Sequence, residues 1–313
     1  MPQVIGLAVV AGLISSILFL SLSSGLPGMV LLAYFVQLPL LFTGLSLGLA
    51  ASVIAVTGAI LVCGLLAGLV GAGLFVLVQA APAVLVIRQS LLARRANGGL
   101  EWYPPGLVLA QLTALAALAI SAAFVLMLGR PGGLEGAIGD FLRSALAEFG
   151  AAGVKVTEVG VTEVGVSAGG EPQGGLTFLF PGLMAASWLI MVVVNGVLAQ
   201  ALAVRLGWNR RPSPALSELE LPGWLWPAVG IAGALALIGG SPGFLGRALL
   251  IVLAVPYVFL GLAVIHAAAC RWPNRRLALA ACYGAIVLLG WPILAVLLLG
   301  FVEDWAHVRQ RFL

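Results

Sequence analysis

Three serines lie at the centre of a Gly-x-Ser-x-Gly pattern, the spacing that lets a nucleophilic serine stand clear of a strand-to-helix turn. The pattern occurs at 44–48, 165–169 and 239–243. The first copy lies in apolar sequence, the second in a Gly-rich segment and the third in a Pro-containing turn, so none follows a predicted strand. An intramembrane protease that uses Ser46 and His266 finds the least support, and we predict that the chain is not an enzyme.

Metal and phosphate chemistry find no pattern in this sequence. There is no HExxH, no Walker loop and no GxGxxG, and the apolar segments contain no acidic or histidine pair with ligand spacing. The three cysteines, Cys63, Cys270 and Cys282, are scattered without a CxxC pair. We interpret them as small packing residues and predict no catalytic residue, no cofactor and no metal.

Uncharged polar side chains within apolar segments are the strongest chemical signal. These residues are Gln37, Gln79, Gln111, Asn195, Gln200 and His266, with Tyr34 and Tyr257 nearby. A primary amide in hydrocarbon is costly unless it finds a hydrogen-bond partner, so these side chains should face the interior of a helix bundle. One interpretation is a set of interhelical hydrogen bonds. The other is a solute site, and for it we select Gln37, Gln79, Asn195, Tyr257 and His266 as lining residues.

Prolines lie close to several of these polar residues: Pro39 follows Gln37, Pro82 follows Gln79 and Pro256 precedes Tyr257. Pro39, Pro82 and Pro256 would each free a backbone carbonyl at a similar depth, as interrupted helices do in transporters. The segments 39–45 and 256–262 also share the pattern Pro-x-x-Phe-x-Gly-Leu, which would mark a diverged internal repeat.

The elements that must position these residues follow from composition. Of 313 residues, 62% are hydrophobic and 8% are charged, whereas about a quarter are charged in a soluble domain. No acidic, basic or histidine residue occurs from Met1 to Ile87. The chain is therefore predicted to lie in a lipid bilayer. The net charge of +4 belongs to the loops and indicates orientation, not nucleic-acid binding.

We expect an all-α polytopic transmembrane helix bundle, because backbone polar groups must be satisfied internally in lipid. Eight or nine spans fit, at 4–22, 28–43, 45–63, 65–87, 105–128, 177–204, 224–240, 248–269 and 277–302. The last run is either one span or a re-entrant hairpin broken at Gly290-Trp291-Pro292. The expected division is an N-terminal bundle (1–128), an external segment (129–175) and a C-terminal bundle with a short tail (176–313).

The external segment contains a predicted amphipathic helix. Its apolar positions recur with helical spacing, at Leu134, Ile138, Phe141, Leu142, Ala145, Leu146 and Phe149. Such a helix lies on the membrane surface or on the bundle, or it forms a lid over a site. Residues 156–165 repeat Val-Thr-Glu-Val-Gly twice and are interpreted as a connector.

Loop charges predict the orientation, because the side richer in Lys and Arg faces the cytoplasm. The loops after the fourth, sixth and eighth spans carry nine arginines, and those after the fifth and seventh carry four basic residues. The N-terminus should therefore be cytoplasmic. No basic residue precedes the first apolar run, so we expect a retained span and not a cleaved signal peptide.

Paired glycines predict close helix contacts. Gly44 and Gly48, and likewise Gly64 and Gly68, put two small residues on one helix face. These faces pack within the chain or against a membrane-protein partner. The second possibility supports a rival function, a non-catalytic scaffold or assembly partner for a cell-envelope or transporter complex.

The chain resembles the YybS-like family over nearly its whole length. The resemblance is carried by residues 39–48, 195–199, 211–222, 259–266 and 300–304, followed by Arg309 and Arg311. It implies a multi-pass protein of the bacterial inner membrane. That family is remotely similar to the substrate-capturing subunits of energy-coupling vitamin transporters, which implies a solute pocket between helices and an ATPase partner. This chain has more predicted spans and no clear copy of their solute-binding motifs. Binding or transport of a small solute is nevertheless the leading hypothesis.

Overall fold

The computed structural model describes residues 2–24, 27–96, 99–151, 178–216 and 219–311. The regular secondary structure of this part is helical apart from one short hairpin, which confirms the all-α prediction. The pentapeptide repeat at 156–165 and the Gly-x-Ser-x-Gly copy at 165–169 lie outside the described residues.

The described residues form twelve α-helices. In chain order they are α1 (Pro2–Leu20), α2 (Pro27–Ala33), α3 (Gln37–Leu47), α4 (Leu49–Phe75), α5 (Ala81–Ser90), α6 (Pro105–Met127), α7 (Gly133–Ala151), α8 (Phe180–Arg205), α9 (Leu225–Ala236), α10 (Gly240–Ala269), α11 (Arg275–Leu289) and α12 (Pro292–Ala306). A π-helical turn, Val76–Ala80, joins α4 to α5.

Five helical segments of the described chain are long and apolar enough to cross a membrane: Pro2–Leu20, Leu49–Ser90, Pro105–Met127, Phe180–Arg205 and Gly240–Ala269. The predicted spans at 28–43, 224–240 and 277–302 fall on shorter helices. The count of eight or nine therefore depends on those shorter helices crossing as well.

The 42-residue segment Leu49–Ser90 folds back on itself at Gly68. Gly68 has φ +70°, outside the helical range. One cavity is lined by residues from both sides of this glycine, namely Val56 and Ile60 before it and Val76 and Ala80 after it. Val56 and Ala80 lie equally far from Gly68 along the chain, as do Ile60 and Val76, so the two halves of the segment lie side by side. We call 49–67 and 69–90 the arms of the helical hairpin. The turn lies a few residues beyond the predicted division at Gly64, because Gly68 is the glycine that takes the left-handed conformation.

Small residues bring the helices of the first compact unit together. This unit comprises Met1–Leu109 and Ile190–Glu220. At Gly12 in α1, an added Cβ would lie 2.3 Å from the carbonyl oxygen of Ala55 in α4, so only glycine allows this approach. Gly44 in α3 likewise faces Ile87 in α5.

The second compact unit is organised around α10, which packs against α9 and α12. It comprises Ala110–Leu189 and Leu221–Leu313. A Cβ added at Gly261 would meet the carbonyl oxygen of Val296, and one added at Gly300 would meet that of Tyr257. The order of these contacts shows that α10 and α12 run antiparallel.

Residues of α6 and of α8 are divided between the two units. The division into 1–128, 129–175 and 176–313 stays a prediction. The sequence marks where polar segments interrupt the apolar ones, but it does not show which helices pack together.

The last apolar run breaks where the sequence predicted a break. Gly290 has φ +72°, α11 ends at Leu289 and α12 begins at Pro292. The run 277–302 is therefore not one straight helix. None of the α11 side chains is fully buried, whereas α12 packs closely on α10.

The predicted amphipathic helix is present as α7. Its Leu142 side chain is buried, and the ring of Phe141 lies 6.4 Å from that of Phe180 in α8. Asp140 and Arg143 form an exposed ion pair on α7. Leu142 is thus buried, whereas Phe141 is 59% exposed and the charged pair is exposed as well.

A short β-hairpin lies within the polar loop predicted at 88–104. Strands β1 (Ala93–Ala96) and β2 (Gly99–Trp102) pair antiparallel, with Arg94 opposite Glu101. Arg94 Nε donates to Glu101 Oε2 at 2.7 Å, and this guanidinium lowers the pKa of the Glu101 carboxyl. From the sequence, this segment was predicted only as a charged loop. Opposite charges on facing positions, such as Arg94 and Glu101, stabilise a pair of antiparallel strands.

Candidate functional site

The first element of the candidate site is the break between α2 and α3. Pro39 has no N–H, so Phe35 O cannot receive the usual bond from four residues ahead. The N–H of Leu38 bonds Phe35 O instead, at 3.1 Å. This shift leaves Tyr34 O available, and Asn195 Nδ2 of α8 donates to it at 2.6 Å.

The second element is the π-helical turn, which Pro82 shapes in the same way. Since Pro82 lacks an N–H, it cannot bond Val78 O, which lies four residues earlier. Gln37 Nε2 of α3 donates to Val78 O at 3.2 Å and to Gln79 O at 3.4 Å. Each proline thus frees a backbone carbonyl, and an amide from another helix binds it.

These contacts bring together three of the predicted lining residues, which we call the amide cluster: Gln37, Gln79 and Asn195. The Gln37 side chain donates to the backbone carbonyl of Gln79. The Asn195 side chain donates to the carbonyl of Tyr34, which lies three residues before Gln37. The relative exposures of Gln37, Gln79 and Asn195 are 0%, 5% and 1%.

The amide oxygens of the cluster have no donor. Gln37 Oε1, Gln79 Oε1 and Asn195 Oδ1 are buried and accept no hydrogen bond from any described residue. A buried acceptor without a partner costs about 1–3 kcal/mol. Three such oxygens close to two helix breaks favour a site for a molecule that donates hydrogen bonds.

Tyr257 and His266, the other two predicted lining residues, do not come together. Both lie on α10, and nine residues of helix place them on opposite faces and about 13 Å apart along the axis. The ring of Tyr257 stacks on Phe301 at 4.1 Å. His266 Nδ1 lies 2.8 Å from Leu262 O, and its ring lies 5.9 Å from that of Tyr283.

A family model described as "Predicted membrane protein (DUF2232)" matches residues 13–303 of this chain. The chain belongs to the DUF2232 family. The matched range contains the whole amide cluster and both proline-dependent breaks. Together with the apolar helices, it identifies a membrane protein. Neither a curated protein nor a solved structure matches the chain.

Two arginines of this DUF2232 chain bind helix ends, a role that was not predicted from the sequence. Arg210 donates to Ser46 O at 3.0 Å and to Leu47 O at 2.7 Å, at the end of α3. Arg211 Nη1 donates to Ser90 O, the last residue of α5, at 3.0 Å. Basic side chains are suited to helix C-termini, where carbonyls lack partners. In the sequence these arginines served only to predict the orientation in the membrane. Their position just before Pro212 does not predict which helix ends they bind.

Burial of Arg211 has an electrostatic consequence. Its guanidinium lies 5.7 Å from the centre of the Trp102 ring, and desolvation lowers its pKa. Gln200 Nε2 donates to Arg211 O at 3.0 Å, so this predicted polar residue holds the loop after α8 in place.

The glycine pairs of the DUF2232 chain have different surroundings. A Cβ on Gly44 would clash with Ile87, and Gly48, at φ +102°, faces the Arg210 guanidinium. That face is therefore covered by the chain itself. No described residue lies within 4 Å of a Cβ added at Gly68, and neighbouring Leu65 and Leu69 are 84% and 91% exposed.

The serine pattern at 44–48 lacks the setting of a nucleophile elbow. Ser46 lies inside α3, and its Oγ donates to Phe42 O on the same helix. Within the described ranges, no group of three or more His, Cys, Asp or Glu side chains could hold a metal ion.

Proposed function

We propose that this protein binds a small solute at the amide cluster and moves it across or within the membrane, without catalysing a reaction. The supporting observation is the set of three buried amide oxygens that accept no hydrogen bond from the described residues. Amide oxygens only accept, so the solute must present N–H or O–H groups. Their partial negative charge disfavours an anion, so a hydroxylated or ammonium-bearing solute fits best.

The helix breaks support this proposal through a general property of transporters. Their solute sites lie where helices are interrupted, because unwound backbone and polar side chains can then line one cavity. The α2–α3 break and the π-helical turn combine both features with α8. The YybS-like family is remotely similar to the substrate-capturing subunits of energy-coupling transporters. If this chain belongs to that family, we propose that an ATPase partner supplies the energy for transport.

Gln79→Leu provides the sharpest test, because the side chain of Gln79 makes no hydrogen bond with the described residues that the change would break. We expect the thermal midpoint of the ligand-free protein in detergent to stay close to that of the wild type. Ethanolamine, glycerol or myo-inositol should raise the wild-type midpoint. A ligand at a hundred times its Kd adds about 2.7 kcal/mol to the free energy of unfolding. Citrate, an anion, should not raise the midpoint. Gln79→Leu should lose the response.

Thr43→Val is the matched control. Thr43 is also buried in α3, but its hydroxyl bonds Pro39 O on its own helix at 2.8 Å. This variant should keep the response to the donor solutes. The proposal fails if no donor solute stabilises the wild type, if citrate acts equally well, or if Gln79→Leu responds like the wild type.

We propose further that the protein lies in the bacterial inner membrane with a cytoplasmic N-terminus. The support is the distribution of arginines among the loops. Reporter fusions after Arg95 and after Gly170 should give cytoplasmic and external signals respectively. An external signal at Arg95 would reverse the orientation.

A scaffold remains the second candidate function, and one surface favours it. Gly68 forms the turn of the helical hairpin, so Gly64 and Gly68 do not share a helix face as predicted; the turn nevertheless lies among highly exposed leucines, and no described residue lies within 4 Å of a Cβ added at Gly68. A membrane-protein partner could approach there closely. The Gln79→Leu experiment separates the two functions, since a scaffold has no need of the amide cluster.

A further inference from the structure

A groove of about 460 Å³ runs between the two arms of the helical hairpin. Its walls are apolar along most of their length, and its polar residues lie at one end. Its lining includes Val56, Val76, Ala81, Arg88 and Gln89. No member of the amide cluster lines it, so this groove is distinct from the proposed solute site.

The polar end of the groove carries an unneutralised charge. Arg88 is exposed and has no acidic side chain within salt-bridge distance among the described residues. Beside it, Gln89 Oε1 is buried and accepts no hydrogen bond from the described chain. The groove therefore offers a cation, with the Gln89 side chain beside it, next to apolar walls.

The position of Arg88 places this end at the membrane boundary. Arg88 is the first charged residue of the sequence, after 87 residues without any ionisable side chain other than Tyr34 and Cys63. Charged side chains at the ends of spans lie at the level of the lipid headgroups. The apolar part of the groove then extends into hydrocarbon, where water has no suitable partners.

The length of the groove matches one leaflet of a bilayer. Val76 and Arg88 are twelve residues apart on the same arm, which corresponds to about 18 Å of helix. Half of a hydrocarbon core is about 15 Å. An acyl chain whose headgroup is held at Arg88 would therefore run the length of the groove and end near the leaflet boundary.

We propose that this groove is a binding site for one anionic phospholipid, such as phosphatidylglycerol. Its acyl chain lies between the arms, and its phosphate pairs with Arg88. Free phosphate would gain nothing from the apolar walls. A zwitterionic lipid would bring its own cation to Arg88, so it would bind less well.

Native mass spectrometry of the full chain tests this assignment. The protein is released from mixed vesicles that contain equal amounts of phosphatidylglycerol and phosphatidylcholine. The wild type should retain one phosphatidylglycerol in preference to phosphatidylcholine. Arg88→Gln should reduce that preference about fivefold, since one arginine near an anionic lipid surface contributes about 1 kcal/mol.

Arg95→Gln is the matched control, because Arg95 is an exposed arginine of the β-hairpin that does not line the groove. It should retain the lipid like the wild type. Ala81→Trp, which fills the groove without a change in charge, should lose both lipids. The proposal is overturned if the wild type shows no preference for phosphatidylglycerol, or if Arg88→Gln and Arg95→Gln have the same effect. If Ala81→Trp does not fold, the two arginine variants still decide.

Discussion

Gly300→Ala is expected to lower the free energy of unfolding by roughly 3 kcal/mol, the upper end of overpacking effects. An added Cβ would lie 1.8 Å from Tyr257 O and 2.7 Å from the carbonyl carbon. The obstacle is the backbone of α10, which cannot rotate away as the end of a side chain can. The two helices would have to separate, and α12 would lose contacts along its length with its main partner in the second unit.

Gly284→Ala on α11 is the control for this effect. No described residue lies within 4 Å of a Cβ added there. This change should leave stability unaltered or raise it by up to about 1 kcal/mol, because alanine favours a helix. Thermal unfolding in detergent, followed by circular dichroism, measures both variants. Equal midpoints for the two would show that α10 and α12 do not approach each other as closely as described.

The amide cluster shows how much of a site such a sequence can predict. Buried amides must find partners in hydrocarbon, and prolines without an N–H release carbonyls. These two facts select Gln37, Gln79 and Asn195, together with Tyr257 and His266, as candidate lining residues. Their pairing was not predictable, because it depends on which helices lie side by side. The orphaned oxygens follow only from that pairing.

Tyr257 shows where the same reasoning stops. Pro256 precedes it in a pattern shared with the segment after Pro39, yet α10 continues as a helix through Pro256, whereas the chain before Pro39 is broken. The shared pattern does place a glycine at a helix contact in both cases, Gly44 against Ile87 and Gly261 against Val296. A proline thus predicts a missing hydrogen bond, and the surrounding packing decides whether the helix breaks there.

Arg210 and Gly48 illustrate a second limit. Charge alone assigns an arginine to a side of the membrane, but it does not show that the guanidinium binds the end of α3. Likewise, a pair of glycines four residues apart predicts a close contact without identifying its partner. Long-range contacts of this kind join residues more than 150 positions apart, beyond the reach of any local pattern.

Glu303→Gln should also be strongly destabilising, although Glu303 lies in a segment without any predicted function. Its carboxylate accepts from Arg309 Nε at 2.6 Å and from the Arg309 backbone N–H at 2.9 Å. The side chains are only 2% and 10% exposed. The left-handed turn at His307 brings the two residues together. Breaking a buried ion pair by changing one partner typically costs about 3–5 kcal/mol, and here the Arg309 guanidinium loses the charged acceptor of its 2.6 Å hydrogen bond.

The double variant Glu303→Leu/Arg309→Leu separates this cause from a general sensitivity of the α12 terminus. Two apolar side chains remove both charges of the ion pair, so its stability should lie closer to that of the wild type than the stability of Glu303→Gln does. A double-mutant cycle, with unfolding followed in detergent, would then give a large coupling between the two positions. If the double variant were as unstable as Glu303→Gln, the loss of the ion pair alone would not explain the result. The two side chains would then be needed for the shape of the turn at His307.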